Sequence, residues 1–275
     1  SMSPHIGVCL LVEPEHLDWH GDKEDYFRSK SNLFAMQTKQ DIAIYYADNL
    51  RSHKIASVSP GDKIAYYDEP GAYIDGDKIM IDQTVLCKTG ELKLLGQHNW
   101  QNICAAITAV WQVTQAPDAI REVLTTFTGL PNRLEFVREK DGVRYYNDSF
   151  ASDPYASAAA IDAVNDKKVC IFGGWDERQL PLGHFAREVA AHKKDIRTVL
   201  LIGESAPRLG TALRHAGFTN FHLSPGTTME EFITEAKTHA KKGDAVLFSP
   251  GFPSFDMFKN FEIRGLKFKE AVHNL

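Results

Sequence analysis

Ala245-Val246-Leu247-Phe248, followed by Ser249-Pro250-Gly251-Phe252-Pro253-Ser254-Phe255-Asp256-Met257-Phe258-Lys259-Asn260-Phe261-Glu262-Ile263-Arg264-Gly265, is the stretch that decides how this chain folds. The apolar run reads as a buried strand. Ser-Pro-Gly breaks it, and an aromatic-rich helix with Lys259, Glu262 and Arg264 follows. In open α/β sheets, ligands sit just past the carboxyl ends of strands. A polar loop shaped by Gly and Pro, followed by a helix N-terminus, is a ready place for an anionic group. An ordinary strand–loop–helix corner has the same pattern, so the neighbouring segments must decide.

Upstream of this stretch the chain alternates. Strands are expected over 142–147, 168–172, 198–202 and 221–223, and helices over 155–164, 184–192, 206–216 and 229–241. Strands alternating with helices predict a mostly parallel, doubly wound sheet. Further back, Gly129-Leu130-Pro131 reads as a hinge, preceded by helices over 100–113 and 117–127. Pro60-Gly61, Pro70-Gly71, Asp75-Gly76 and Thr89-Gly90 punctuate short strands that read as hairpins. Residues 41–46 read as a strand and 24–37 as a helix, with Tyr26, Phe27, Leu33, Phe34 and Met36 as its buried face. The chain opens on a strand, His5 to Val12, with no preceding element, and Ser1-Met2 looks like a scar of tag removal. A parallel strand needs neighbours on both sides, so the expectation is a chain that starts inside a domain.

Composition narrows the class. The 275 residues are 43% hydrophobic and 24% charged, enough for one large domain or two ordinary ones. A net charge of -5 argues against a nucleic-acid footprint. The lysine pairs at 167–168, 193–194 and 241–242 read as solvated loop or helix-end positions. No run approaches the roughly 20 apolar residues of a membrane span, and no signal peptide is visible. Cys9, Cys87, Cys104 and Cys170 lie far apart without a CxxC pair, and read as buried thiols in a reducing, cytoplasmic compartment.

Several segments carry chemistry. Glu13 to His20 packs two histidines and three acids into eight residues, which could bind a divalent cation, though a polar loop with helix-capping acids is the favoured reading of the residues by themselves. Lys30, in Tyr26-Phe27-Arg28-Ser29-Lys30, reads by itself as a solvated helix lysine. In Gly96-Gln97-His98-Asn99-Trp100-Gln101-Asn102, Asn99 suits a helix N-cap. Arg133, in Gly129-Leu130-Pro131-Asn132-Arg133-Leu134-Glu135, has a planar fork for phosphate or ribose oxygens. Tyr146-Asn147-Asp148-Ser149-Phe150-Ala151-Ser152-Asp153-Pro154 and Gly173-Gly174-Trp175-Asp176-Glu177-Arg178 each follow a strand.

Together these segments resemble the Mur ligases, most of all the D-glutamate-adding members. The resemblance runs from about His5 to His273. It implies an α/β fold: the second half of a central, ATP-binding domain over 1–128, and a C-terminal Rossmann-like doubly wound domain over 129–275. It implies an ATP-dependent ligase of peptidoglycan biosynthesis that adds D-glutamate to UDP-N-acetylmuramoyl-L-alanine with Mg²⁺, without nucleic-acid or membrane partners. His16 then stands as a metal ligand and Lys30 as a carbamylated lysine near the metal. Asn99, Asn102, Arg133 and Asp148 take nucleotide roles, while Ser254, Phe255, Phe261 and Ser152 take the amino-acid substrate.

The departures matter as well. Asn132 replaces the family's His, and Ser152 its Thr. Phe150 and Glu177 stand where the family has lysines, and a carboxylate at 177 would repel the γ-carboxylate of glutamate. Arg178, the basic residue of that loop, is expected to take the γ-carboxylate instead. No G-x-x-G-K-[ST] phosphate loop exists in the 275 residues. The expectation is therefore a fragment, incompetent for ligation alone. Two other readings stay open: a sibling such as a folylpolyglutamate synthase with another amino acid, or a non-enzymatic nucleotide-binding module.

Overall fold

The computed structural model describes residues 2–12, 22–94, 96–177 and 179–275. It divides into two compact units, 1–127 and 128–275.

The first unit is built on three parallel strands, β1 (Ile6–Cys9), β2 (Ile42–Tyr46) and β3 (Asp62–Tyr66), in the order β1-β2-β3. Helices α1 (Lys23–Ser31) and α2 (Leu50–Ala56) precede β2 and β3. Alternation along β2 splits the interior: Ala43 packs with Phe34 and Ile55, while Ile44 and Tyr46 pack on the opposite face with Ile103 and Ile107. Local chemistry sets the helix starts. Asp22 accepts from the Asp25 N–H at 2.7 Å, and Asn49 from the Ser52 N–H at 2.7 Å. Strands β4 (Tyr73–Asp75), β5 (Lys78–Ile81) and β6 (Thr84–Lys88) form an antiparallel meander, followed by α3 (Gln97–Trp111) and α4 (Pro117–Thr126).

The second unit is a doubly wound sheet. Its strands are β7 (Glu135–Lys140), β8 (Val143–Asn147), β9 (Lys168–Gly173), β10 (Ile196–Ile202), β11 (Phe221–Leu223) and β12 (Ala245–Phe248), in the order β11-β10-β9-β12-β8-β7. All neighbours are parallel except β7 and β8. Helices α5 (Pro154–Ala163), α6 (Gly183–Ala191) and α7 (Ala206–His215) pack side by side. Helices α8 (Met229–His239) and α9 (Phe261–His273) also pack on each other, and share a core with Val169, Leu200 and Val246. Because β12 returns late to lie between β8 and β9, the loops after these three strands meet at the carboxyl edge, where doubly wound sheets place ligands.

Several expectations need correction. Met36 is 58% exposed, because α1 stops at Ser31 and the chain leaves the helix before reaching it. Pro60-Gly61 introduces a parallel strand, not a hairpin, since α2 crosses over before β3. Lys168 is not solvated: it is the first residue of β9 and 1% exposed, between β10 and β12. Helix α2 and strand β7 had no counterpart in the sequence reading. All four cysteines are free and buried.

Phe248 is fully buried and stacks on Phe268 of α9 with ring centroids 5.0 Å apart. Phe248→Ala is expected to cost about 3–5 kcal/mol of stability, read as a lowered midpoint in urea unfolding of the second unit.

Candidate functional site

The loop after β8 begins at Asn147, whose side-chain amide donates to Asn132 Oδ1 at 2.9 Å and to Glu135 Oε2 at 3.3 Å. Asn132 holds a left-handed backbone, φ 64°, and its carbonyl accepts from the Phe150 N–H at 2.9 Å. This fastens the 132–135 segment to the β8 loop. It needs Gly265 on α9, since an added Cβ there would lie 1.9 Å from Asn132 Oδ1.

Asp148 sits below the surface, 8% exposed. One carboxylate oxygen accepts from the Leu134 N–H at 3.0 Å, the other from the Ser249 hydroxyl at 2.6 Å. Burial outweighs these bonds and pushes its carboxyl up to about 6. Ser249 in turn meets the Ser157 hydroxyl at 3.0 Å. Both oxygens of Asp148 are thus engaged in joining the 132–135 segment to the loop after β12.

Arg264, which its sequence context marks only as part of a helix, is fully buried. Its guanidinium donates to Ser149 Oγ at 3.0 Å, to the Ser149 carbonyl at 2.8 Å and to the Phe252 carbonyl at 2.9 Å. Burial pulls its pKa down to about 10, against the pull of Asp256 and Asp148. The signal was present in the spacing: Phe261 and Phe268 flank it at i−3 and i+4, which places it on the apolar face.

The loop after β9 is held by its backbone. Gly174 N–H donates to the Ser205 hydroxyl at 3.0 Å, and Trp175 N–H to the Pro253 carbonyl at 2.9 Å. A Cβ on Gly174 would lie 2.4 Å from that same carbonyl, so the loops after β9 and β12 touch through glycine. Asp176 accepts a two-pronged bond from Arg208, with Nε to Oδ2 at 2.6 Å. Asp256 accepts from the Glu204 N–H at 3.1 Å, while its other oxygen is buried without a partner and burial raises its pKa.

Two aromatic pairs edge this region. Phe255, 61% exposed, meets Trp175 edge to face at 5.4 Å. Phe150, 43% exposed, meets Phe261 edge to face at 5.0 Å, and the Arg133 guanidinium lies 4.4 Å above the Phe150 ring. The structure therefore brings Arg133, Phe150 and Phe261 together. Ser254 is 2% exposed, its carbonyl accepting from the Met257 and Phe258 N–H groups. Ser152 and Glu177 are exposed. Arg178 and His16 lie outside the described residues.

In the first unit, Lys30 is exposed on the last turn of α1, its ammonium 5.2 Å from the Tyr26 ring centroid. Asn99 is not the helix cap expected for it. Gly96 is the cap, and α3 begins at Gln97 because Gly96 takes a φ of 87° open to glycine. Asn99 lies within the first turn, where its Oδ1 accepts from the exposed Asn102 amide at 3.4 Å. A cavity of about 460 Å³ in this unit, lined in part by Tyr45, Asp48, His53, Asp68 and Glu69, contains none of the expected site residues. Among the described residues no cluster of three or more His, Cys, Asp or Glu is arranged to hold a metal ion. No helix among them is long and apolar enough to cross a membrane.

Comparison with known proteins agrees with this architecture. The Mur ligase middle domain matches residues 1–110, and the Mur ligase glutamate ligase domain matches 132–252. The chain belongs to the Mur ligase family. It is 35% identical over 287 residues to the UDP-N-acetylmuramoylalanine--D-glutamate ligase of Acetivibrio thermocellus, covering 99% of this chain and 60% of the relative. It is 36% identical over 284 residues to the enzyme of that name from Clostridium kluyveri, covering 100% and 60%. The chain thus spans about 60% of the length of these relatives. Among solved structures, the Acinetobacter baumannii UDP-N-acetylmuramoylalanyl-D-glutamyl-2,6-diaminopimelate--D-alanyl-D-alanyl ligase shares the fold at a TM-score of 0.72 and 17% identity, over 98% of this chain and 59% of that one. Thermotoga maritima UDP-N-acetylmuramate-alanine ligase MurC does so at 0.69 and 16%, over 99% and 60%. The α/β fold with largely parallel sheets is that of Mur ligase middle and C-terminal domains.

Asp148 also sets a pH dependence. Its folded pKa of about 6 lies above its ordinary value of 3.8, so the folded state binds the proton more tightly. Its contribution to stability is therefore fullest below pH 3.8 and is lost as pH rises toward about 6. The loss is on the order of 3 kcal/mol at most. Asp148→Asn is expected to flatten the unfolding free energy between about pH 4 and 6, as followed by urea titrations across that window.

Proposed function

We propose that these residues form the middle and C-terminal parts of an ATP-dependent ligase that joins D-glutamate to UDP-N-acetylmuramoyl-L-alanine in peptidoglycan biosynthesis. One structural observation carries the reading. The loops after β8, β9 and β12 and the N-terminus of α9 converge on one edge, with a buried cation, Arg264, beneath them. A helix N-terminus and a buried cation favour a carboxylate there. The names of the relatives and the motifs Ser254 to Arg264 and Asn147 to Ser152 support the same substrate class.

In this reading the carboxylate of the muramoyl-alanine is activated by phosphoryl transfer from ATP. The amine of D-glutamate attacks the acyl phosphate, a tetrahedral intermediate forms and loses a proton, and it collapses to the amide and phosphate. Ser254 and Phe261 orient the α-carboxylate of D-glutamate, Phe255 and Ser152 border it, and Arg178 takes the γ-carboxylate. Arg133, Asn99 and Asn102 serve the nucleotide. Asp148 acts by holding the 132–135 segment in place, since its own oxygens are bonded within the protein.

Mg²⁺ would neutralise charge on the transferring phosphoryl group. Lys30 fits a carbamate role in one respect: its exposed amine is open to carbon dioxide. The neutral amine attacks carbon dioxide and releases a proton, leaving an anionic carbamate where a cation had been. His16 is the other proposed metal ligand.

Two outcomes are expected. This 275-residue chain alone should release no phosphate when supplied with ATP and both substrates, whereas a protein of the relatives' length that contains it should do so only with both present. Release by the short chain, or release by the longer protein without D-glutamate, would contradict the assignment. In the longer protein, Lys30→Ala should lower kcat by roughly 10–100-fold, and added bicarbonate should not restore it. A normal kcat would remove Lys30 from the mechanism.

A further inference from the structure

Arg264 is a charge without a matched partner. A buried guanidinium normally meets a carboxylate, because neutral acceptors compensate its lost hydration poorly. Here all three hydrogen bonds go to neutral oxygens: one hydroxyl and two carbonyls. Among the described residues no carboxylate forms an ion pair with it. The nearest acids, Asp256 and Asp148, attract it from a distance without bonding to it.

Its location gives the guanidinium a use. Two of the bonds fix Ser149 in the loop after β8 and a third fixes Phe252 in the loop after β12. Its Nη1 also borders Gly174, where an added Cβ would lie 3.3 Å away. The guanidinium thus lies beneath all three loops. Ser149 passes the constraint on, its hydroxyl donating to the Phe261 carbonyl at 2.9 Å. Helix α9 presents its positive end at the same edge, with Asn260 capping it through the Ile263 N–H at 2.8 Å.

We propose that Arg264 is the positioning residue of an amino-acid carboxylate site: it locks the three loops in register and supplies, from below, the positive charge that selects a carboxylate over a neutral group. The inference rests on the ligase reading above and adds to it a residue and a source of selectivity.

The test titrates the 275-residue chain with D-glutamate and with its α-carboxamide analogue, by calorimetry or amide chemical shifts. The native chain should prefer the carboxylate by at least about tenfold. Arg264→Met should erase that preference, Arg264→Lys should keep most of it, and Ser149→Ala, which retains the charge, should keep it while weakening both ligands. If Arg264→Met does not fold, Arg264→Gln, neutral but still able to donate, takes its place. Weaker binding of both ligands with the preference intact would assign Arg264 a purely structural role and overturn the inference. If the native chain binds neither ligand, the location of the amino-acid site is wrong, and the inference falls with it.

Discussion

The three hydrogen bonds of Arg264 are what the carboxyl edge of the second unit depends on. Ser149 and Phe252 lie in the loops after two different strands, β8 and β12. One rigid, planar group with donors in a fixed fork holds them at set distances. The remaining features follow from this anchorage. Ser149 reaches the Phe261 carbonyl, Asp148 bridges Leu134 and Ser249, and Gly174 packs against Pro253. Each of these contacts joins the same loops that Arg264 holds.

The surface built on this anchorage is unusual for a site that takes an acidic amino acid. Phe150 and Glu177 stand where lysines would have been expected. Phe150 is not idle: its ring contacts both the Arg133 guanidinium and Phe261. A cation stacked on an exposed ring keeps its charge and its donor edge available. The Arg133 guanidinium lies 4.4 Å from the centre of that ring, on a side chain from a different segment. Position 177 has no such replacement among the described residues, since Arg208 is committed to Asp176 and the Leu180 carbonyl.

Much of the second unit was legible in the sequence because its signals are local. Apolar runs such as Val169 to Phe172 and Ala245 to Phe248, separated by amphipathic helices, mark a doubly wound sheet without any long-range information. Strand β7 escaped because its residues, Glu-Phe-Val-Arg-Glu-Lys, are charged and half-buried, and its pairing with β8 depends on a turn at Asp141-Gly142. Helix α2 escaped because it is only seven residues long, and its Asn49 cap lies in a stretch that reads as a loop. The site was legible as a set of loops but not as a set of partners. Nothing in spacing shows that both Asp148 oxygens are occupied, that Arg264 lacks a carboxylate, or that Arg133 stacks on Phe150. Those depend on which strand lies beside which, and β12 takes its place between β8 and β9 only after three further elements have been laid down following β10.

The carboxyl edge of the second unit is the proposed place of amino-acid binding. Backbone amide chemical-shift mapping of the isotope-labelled chain during D-glutamate addition tests this most directly. Saturable shifts should concentrate at Ser149, Gly174, Ser254 and Phe261, with the β11 edge and the first unit little changed. Saturable shifts centred elsewhere, such as the Asp48, Asp68 and Glu69 cavity of the first unit, would contradict it.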